Sequence, residues 1–208
     1  MPFGRAPAMI AADQALPGRD TPLEVATTHH VTSRPIVPPW PERHELIAFG
    51  MGCFWGAERL YWSLEGVWTT FVGYAGGFTP NPTYPEVCTG RTGHAEVAVV
   101  VYDPAVIGLD ELFAPFWENH DPTQVNRQGN DVGTQYRSIV LATTDGQAAA
   151  AVASREHYQR KLADHGFGQV ATTVEPLDGL YWAETEHQQY LAKNPGGYCN
   201  HGFCQVAY

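Results

Sequence analysis

The sequence predicts an α+β fold, a two-layer α/β sandwich, and three observations lead there. Short apolar runs bounded by Gly and Pro alternate with stretches whose apolar residues recur at helical spacing. The connections between them are mostly short, as in a layered domain. Hydrophobic residues make up 44% of the chain against 16% charged, which supplies a core and argues against disorder. At 208 residues the chain makes one domain with room for an appendage.

The appendage is N-terminal. Eight of the sixteen prolines stand in the first 41 residues, and neither helical nor strand periodicity is present there, so 1–44 reads as an irregular extension lying over the core. The main domain spans 45–193. Leu46-Ile47-Ala48-Phe49 is a buried strand that ends in the turn Gly50-Met51-Gly52. Phe54, Ala57, Leu60, Tyr61 and Leu64 then mark a helix, with Gly66 as its C-terminal cap glycine. A strand over 67–72 completes a β-α-β opening. Gly and Pro dominate 73–93, a long loop of the functional kind. Strands are expected over 94–102, 135–142 and 170–174, and helices over 109–119 and 145–165. The glycine-rich residues 194–208 read as a mobile tail.

Charge narrows the partners. With 22 acidic against 12 basic residues the net charge is -10, which repels nucleic acid and anionic membranes. No run approaches the roughly 18–20 apolar residues of a membrane span, and the apolar stretch around Ala8 is too short for a signal peptide. The expected location is the cytoplasm. Cys53, Cys88, Cys199 and Cys204 are too few for a disulfide scaffold in a chain this long; in a reducing compartment they are catalytic, metal-binding or inert.

Cys53 opens the first helix behind a Gly-Met-Gly turn. Unpaired N–H groups at a helix N-terminus favour the thiolate, so a depressed thiol pKa is expected; a buried cysteine capping a helix fits the position equally. Glu96 lies in an apolar strand, where a carboxyl buried on both sides holds its proton at neutral pH and suits a general acid, although a solvated strand-end Glu is an alternative. Gly73-Tyr74-Ala75-Gly76-Gly77 suggests a phosphate loop, but Pro80, Pro82 and Pro85 forbid a following helix, which argues against nucleotide binding. Cys199 and Cys204, with four residues between them in a flexible segment, are able to form a disulfide, and zinc binding with His201 or inert surface thiols remain alternatives. A cysteine hydrolase, with Cys53 as nucleophile and His94 or His120 as base, is the rival enzyme class, though it has no need of two further thiols.

Several motifs in fixed order decide between these readings. Gly52-Cys53-Phe54-Trp55-Gly56, Gly73-Tyr74-Ala75-Gly76-Gly77, Pro80-Asn81-Pro82-Thr83-Tyr84, Gly93-His94-Ala95-Glu96, Phe116-Trp117-Glu118-Asn119-His120-Asp121-Pro122, the run from Gly129 to Ser138, and His187-Gln188-Gln189-Tyr190-Leu191 resemble peptide methionine sulfoxide reductase A from about residue 45 to the tail. Ala15-Leu16-Pro17-Gly18-Arg19 is similar to the leader of longer family members. The resemblance implies a ferredoxin-like plait and reduction of methionine-S-sulfoxide, free or in proteins, as repair of oxidative damage. It implies that Cys53 attacks sulfur, Glu96 protonates the oxygen, Tyr84 and Tyr136 donate hydrogen bonds to that oxygen, Phe54 and Trp55 enclose the substrate methyl group, and Asp131 helps hold the substrate. The product is a sulfenic acid on Cys53. Cys199 is then expected to attack it and Cys204 to displace Cys53, leaving a 199–204 disulfide for thioredoxin. Cys88 matches a family position not usually used in recycling, and the tail here is shorter than in the best-known members. No cofactor or metal is expected, and the working form is a monomer.

Overall fold

The computed structural model describes residues 7–199, 201 and 206–208. Eight strands carry it: β1 (Glu45–Gly50), β2 (Val67–Ala75), β3 (Ala95–Tyr102), β4 (Arg127–Gln128), β5 (Asp131–Val132), β6 (Ile139–Ala142), β7 (Thr173–Pro176) and β8 (Leu180–Trp182). The helices are α1 (Phe54–Tyr61), α2 (Tyr84–Cys88), α3 (Leu109–Glu118), α4 (Asp145–Asp164) and α5 (Tyr190–Lys193). Six strands form one sheet in the order β7-β6-β1-β3-β2-β8, and β4 pairs with β5 in a separate ribbon. All pairs in the sheet are antiparallel except β6 with β7, which is parallel and reached through α4.

β3 lies at the centre, paired on one side with β1 and on the other with β2. Every one of its eight residues is buried, so both faces of the sheet must be covered. Alternation divides them. Ala98 and Val100 join Ile47, Phe49 and Val140 beneath α1, α3 and α4, whose Tyr61, Phe113, Phe116, Trp117, Tyr158 and Leu162 fill that layer. Val97, Val99 and Val101 face the other way with Ala48, Phe71 and Leu141. The N-terminal extension covers that second face: Ile36 is fully buried there, with Val37 and Trp40 packed beside it. Trp40 stacks on Phe71, and Trp182 of β8 stacks on the same ring while its indole N–H donates to the Ile36 carbonyl at 3.0 Å.

Several boundaries depart from the sequence reading. The expected strand over 135–142 is divided: a 3-10 turn occupies Thr134–Tyr136, closed by the Arg137 N–H to the Thr134 carbonyl, and β6 begins at Ile139. Thr134, Gln135, Arg137, Ser138 and Ile139 are all buried, and a turn of three residues is too short for periodicity to separate it from the strand that follows. The proline-rich loop holds a helix after all, because Pro85 stands in the first turn of α2, where its missing N–H has no intrahelical partner to lose. Thr83 and Glu86 form a capping box on it: the Glu86 carboxylate accepts from the Thr83 N–H at 2.8 Å. β7 starts later than expected, and β8 and α5 carry too few residues for periodicity to mark them.

The end of the tail is also held rather than free. Val206 is buried in the helical layer, its carbonyl accepts from the Tyr158 hydroxyl at 2.8 Å, and the Tyr208 N–H donates to Glu118 at 2.8 Å. Because Ile36 is buried among β-sheet side chains, Ile36→Ala is expected to destabilise the protein by about 2–5 kcal/mol in denaturant titration. A cost below about 0.5 kcal/mol would mean that the extension does not fold with the sheet.

Candidate active site

The turn from β1 to α1 places Cys53 as the N-cap residue of the helix, with φ -55 and ψ 122. Gly52 precedes it at φ +96, a left-handed conformation that a side chain resists, and a Cβ there would lie 2.8 Å from Gln128. Glycine at 52 therefore sets the thiol at the mouth of the helix. The central strand brings Glu96 to the same place: its Oε2 accepts the Phe54 N–H at 3.1 Å, while Oε1 is buried with no partner among the described residues.

The helix terminus does not produce the expected thiolate. Burial pushes the Cys53 thiol well up, the Glu96 carboxylate and Asp131 push further, and the N–H groups of Trp55 and Gly56 pull only partly back. The first N–H of α1 goes to Glu96 instead of to sulfur. Desolvation outweighs the helix terminus, and Cys53 rests as a thiol. Glu96 is pushed up to about 8, by burial first and Asp131 after it, with the Phe54 N–H opposing. The carboxyl is thus neutral at pH 7.

Rings wall the opening. Phe54 stacks with Tyr84 at 6.4 Å between centroids, and His187 lies 4.4 Å from Tyr84 and 5.4 Å from Phe54. The Trp55 indole N–H donates to His187 Nδ1 at 3.2 Å, and Tyr190 stacks on Trp55 at 3.8 Å. Glu184 holds two of these pieces, accepting from the Tyr84 N–H at 2.7 Å and from the Tyr74 hydroxyl at 2.8 Å. Tyr136 sits in the 3-10 turn rather than on a strand. Burial, then Glu96, Cys88 and Asp131, push its phenol up. Burial and then Glu96 raise Tyr84 likewise. Arg137 anchors the turn, donating to the carbonyls of Thr134 at 3.0 Å and Gly76 at 2.8 Å. Asp131 projects from the β4–β5 ribbon and accepts from the Tyr198 hydroxyl at 3.1 Å.

The tail reaches the same helix. A Cβ on Gly56 would fall 2.9 Å from the Cys199 Sγ, so glycine at this position lets the tail thiol lie against the first turn of α1. Cys204 lies outside the described residues. His94 and His120 are committed elsewhere: His94 Nε2 bonds the Thr79 carbonyl at 2.8 Å, and His120 bonds the Phe116 carbonyl at 2.6 Å and Ser138 at 2.7 Å. Neither is placed as a base for Cys53.

A buried network that sequence reasoning missed supports the ring wall. Glu58, one turn after Phe54, accepts from the Gln189 N–H at 2.8 Å, the Gln189 side chain at 2.7 Å and Thr70 at 3.0 Å. Burial pushes its carboxyl up to about 7 against those donors. Gln189 is left-handed at φ +48. Gln188 beside it pairs both atoms of its amide with the Val72 backbone at 2.9 Å, taking the place of a strand. A glutamate on the apolar face of a helix was the available signal for Glu58; Gln188 and Gln189 have none outside the motif that contains them.

The peptide methionine sulfoxide reductase family model matches residues 45–206. The chain belongs to that family. The Brucella anthropi peptide methionine sulfoxide reductase MsrA is 58% identical over 191 residues, covering 92% of this chain and 88% of that one. The mitochondrial enzyme of Bos taurus is 54% identical over 93% of this chain and 83% of its own. Methionine sulfoxide reductase A of Corynebacterium diphtheriae superposes with a TM-score of 0.87 at 47% identity, covering 93% of this chain and 94% of that one. Mxr1 from Saccharomyces cerevisiae, solved in complex with Trx2, is 27% identical with a TM-score of 0.55, over 82% of this chain and 96% of that one. The protein is thus an oxidoreductase acting on methionine sulfoxide. Among the described residues, no helix is long and apolar enough to cross a membrane.

The resting thiol has a measurable signature. Above pH 8, where Glu96 ionises, alkylation of Cys53 by iodoacetamide is expected to be faster in Glu96→Gln than in the wild type, because no carboxylate then opposes the thiolate. Mass-spectrometric labelling rates check this, and equal rates would show that the two groups are not coupled.

Proposed function

We propose that the protein reduces methionine-S-sulfoxide, in proteins or free, by nucleophilic attack of Cys53 on the sulfoxide sulfur with Glu96 as proton donor. The observation that carries this reading is the burial of the Cys53 thiol and the neutral Glu96 carboxyl at one helix mouth, with Glu96 Oε1 left open. A sulfoxide oxygen leaves only when protonated. Glu96 supplies that proton, and Tyr84 and Tyr136 donate hydrogen bonds to the oxygen beside it. As Cys53 attacks, its thiol proton replaces the one Glu96 gave up. Attack forms an Sγ–S bond, which breaks as the protonated oxygen passes from the substrate sulfur to Sγ. The substrate S–O bond is thereby exchanged for an Sγ–O bond, the substrate sulfur is reduced by two electrons and Cys53 becomes the sulfenic acid. Phe54 and Trp55 hold the methyl group against the rings, and Asp131 holds the rest of the substrate.

Cys199 then attacks the sulfenic acid, Cys204 displaces Cys53, and thioredoxin reduces the 199–204 disulfide. The position of Cys199 against Gly56 and the pairing of Mxr1 with Trx2 support this order. The enzyme works as a cytoplasmic monomer in repair of oxidised proteins, without cofactor, and neither nucleic acid nor membrane is a partner. Its architecture reads as a ferredoxin-like plait, β6-β1-β3-β2 with α1 and α3 as the crossing helices, flanked by β7 and β8. Residues 45–193 form the catalytic domain, between the extension and the tail.

Incubation with N-acetyl methionine sulfoxide and dithiothreitol, with the sulfur epimers separated, is expected to consume the S-epimer and leave the R-epimer. Cys53→Ser is expected to abolish turnover, and more than about a hundredth of the activity remaining would overturn its assignment. Glu96→Gln should lose roughly 10²–10⁴ in rate at neutral pH. Since Glu96 holds its proton up to about 8, the wild-type rate should fall as pH rises through that value, and this limb should vanish in Glu96→Gln. An unchanged rate and profile would remove Glu96 from the mechanism.

A further inference from the structure

We propose that His201 is the general base of the resolving step, its Nδ1 taking the thiol proton of Cys199 as that sulfur attacks the Cys53 sulfenic acid. This rests on the reading of Cys53 and Cys199 above. Three observations support it.

The first is the tautomer. His201 Nε2 lies 3.0 Å from the Met51 carbonyl oxygen, which only accepts, so Nε2 carries the hydrogen and Nδ1 the free lone pair. The second is that Nδ1 is buried without a hydrogen-bond partner among the described residues, a costly state for a ring nitrogen unless something else uses it. The third is place. The point a Cβ would occupy on Gly56 is 2.2 Å from His201 Nδ1 and 2.9 Å from Cys199 Sγ, so the separation of base and thiol cannot exceed the sum of the two. Both lie against Gly56, three residues beyond Cys53 in the first turn of α1. The Met51 carbonyl that orients the ring belongs to the same turn that presents Cys53.

Burial holds the His201 ring neutral down to about 4, so the lone pair is available at neutral pH. A base this weak takes the proton while the sulfur–sulfur bond forms, not before. The balance is simple. The Cys199 S–H and the Cys53 Sγ–O bonds break, the Sγ–Sγ bond forms, and the thiol proton, held on Nδ1, ends on the departing hydroxyl as water. Cys199 is oxidised as the sulfenic sulfur is reduced. Gly56 is the companion requirement, since any side chain there would displace both groups.

The test is rapid quench of the full-length enzyme after one equivalent of substrate, with mass spectrometry following methionine release and the Cys53–Cys199 disulfide separately. His201→Gln retains an amide N–H able to donate to the Met51 carbonyl but has no base. Disulfide formation in it is expected to slow roughly 10²-fold, far more than methionine release does. His201→Ala should slow likewise and be accelerated by added imidazole, which supplies the missing lone pair. A wild-type rate of disulfide formation in His201→Gln, or a slow His201→Ala that imidazole does not accelerate, overturns the base and leaves His201 an anchor for the tail. Failure to find a Cys53–Cys199 disulfide in the wild type would instead refute the recycling reading itself.

Discussion

The hydrogen bond from the Phe54 N–H to Glu96 joins the first turn of α1 to the central strand, and the rest of the site depends on it. The carboxyl it holds lies on the central strand where water cannot solvate its charge, so the group keeps its proton to about 8 against the pull of this N–H. It also takes the helix N–H that would otherwise have faced sulfur. The thiol and the carboxyl share one desolvated volume, where burial and then Glu96 make ionisation of the thiol harder. The proposed reaction needs no charged resting state, because the proton lost by the thiol is the one the carboxyl must regain.

Around this pair the protein invests its buried polar groups in holding rings still. His29, from the N-terminal extension, accepts the Val31 and Thr32 N–H groups on Nδ1, both at 3.1 Å, which leaves Nε2–H to donate to Thr70 at the same distance. Thr70 donates to Glu58, Glu58 fixes Gln189, and Gln189 follows the His187 that packs on Tyr84 and Trp55. A second strap runs from Gly18 and Arg19 to the loop that carries α2. The Arg19 N–H donates to the Pro80 carbonyl at 3.1 Å, and its guanidinium pairs with Glu86 at 2.9 Å. That ion pair is partly exposed and contributes little by itself. Its geometric effect is to bind the extension to the helix bearing Tyr84. The irregular N-terminal residues thus cover one face of the sheet and brace two walls of the opening.

What patterning could and could not disclose follows from its length scale. β1, β3, α3 and α4 are long enough for alternation or helical spacing to register, and they appear within a few residues of their expected bounds. The division of 135–142 into a turn and a strand was hidden because a three-residue 3-10 turn is too short for any periodicity to mark where it ends and the apolar run from Ile139 begins. Pro85 concealed α2 because its meaning depends on position within the helix, not on its presence. Cys53 was singled out by its place at the start of the helix, and Phe54 and Trp55 beside it only by the family resemblance. Tyr84, Glu96, Asp131 and Tyr136, scattered over more than fifty residues, were linked by family resemblance and not by spacing.

By itself, the sequence determined the layered α+β class, the covering of a doubly buried sheet, the family, and the chemical types that meet at the site, since these rest on composition, periodicity and motifs carried along the chain. Tertiary structure alone decided the ionisation states. A helix N-terminus lowers a thiol pKa and burial beside a carboxyl raises it, and which effect wins depends on the water excluded by residues distant in sequence. It likewise decided which ring nitrogen of His201 is free and where the tail thiol lies, because a hydrogen bond to Met51 and an absent side chain at Gly56 are contacts across some 150 residues of chain. Charge, tautomer and approach are properties of the enclosed space, and the space exists only after folding.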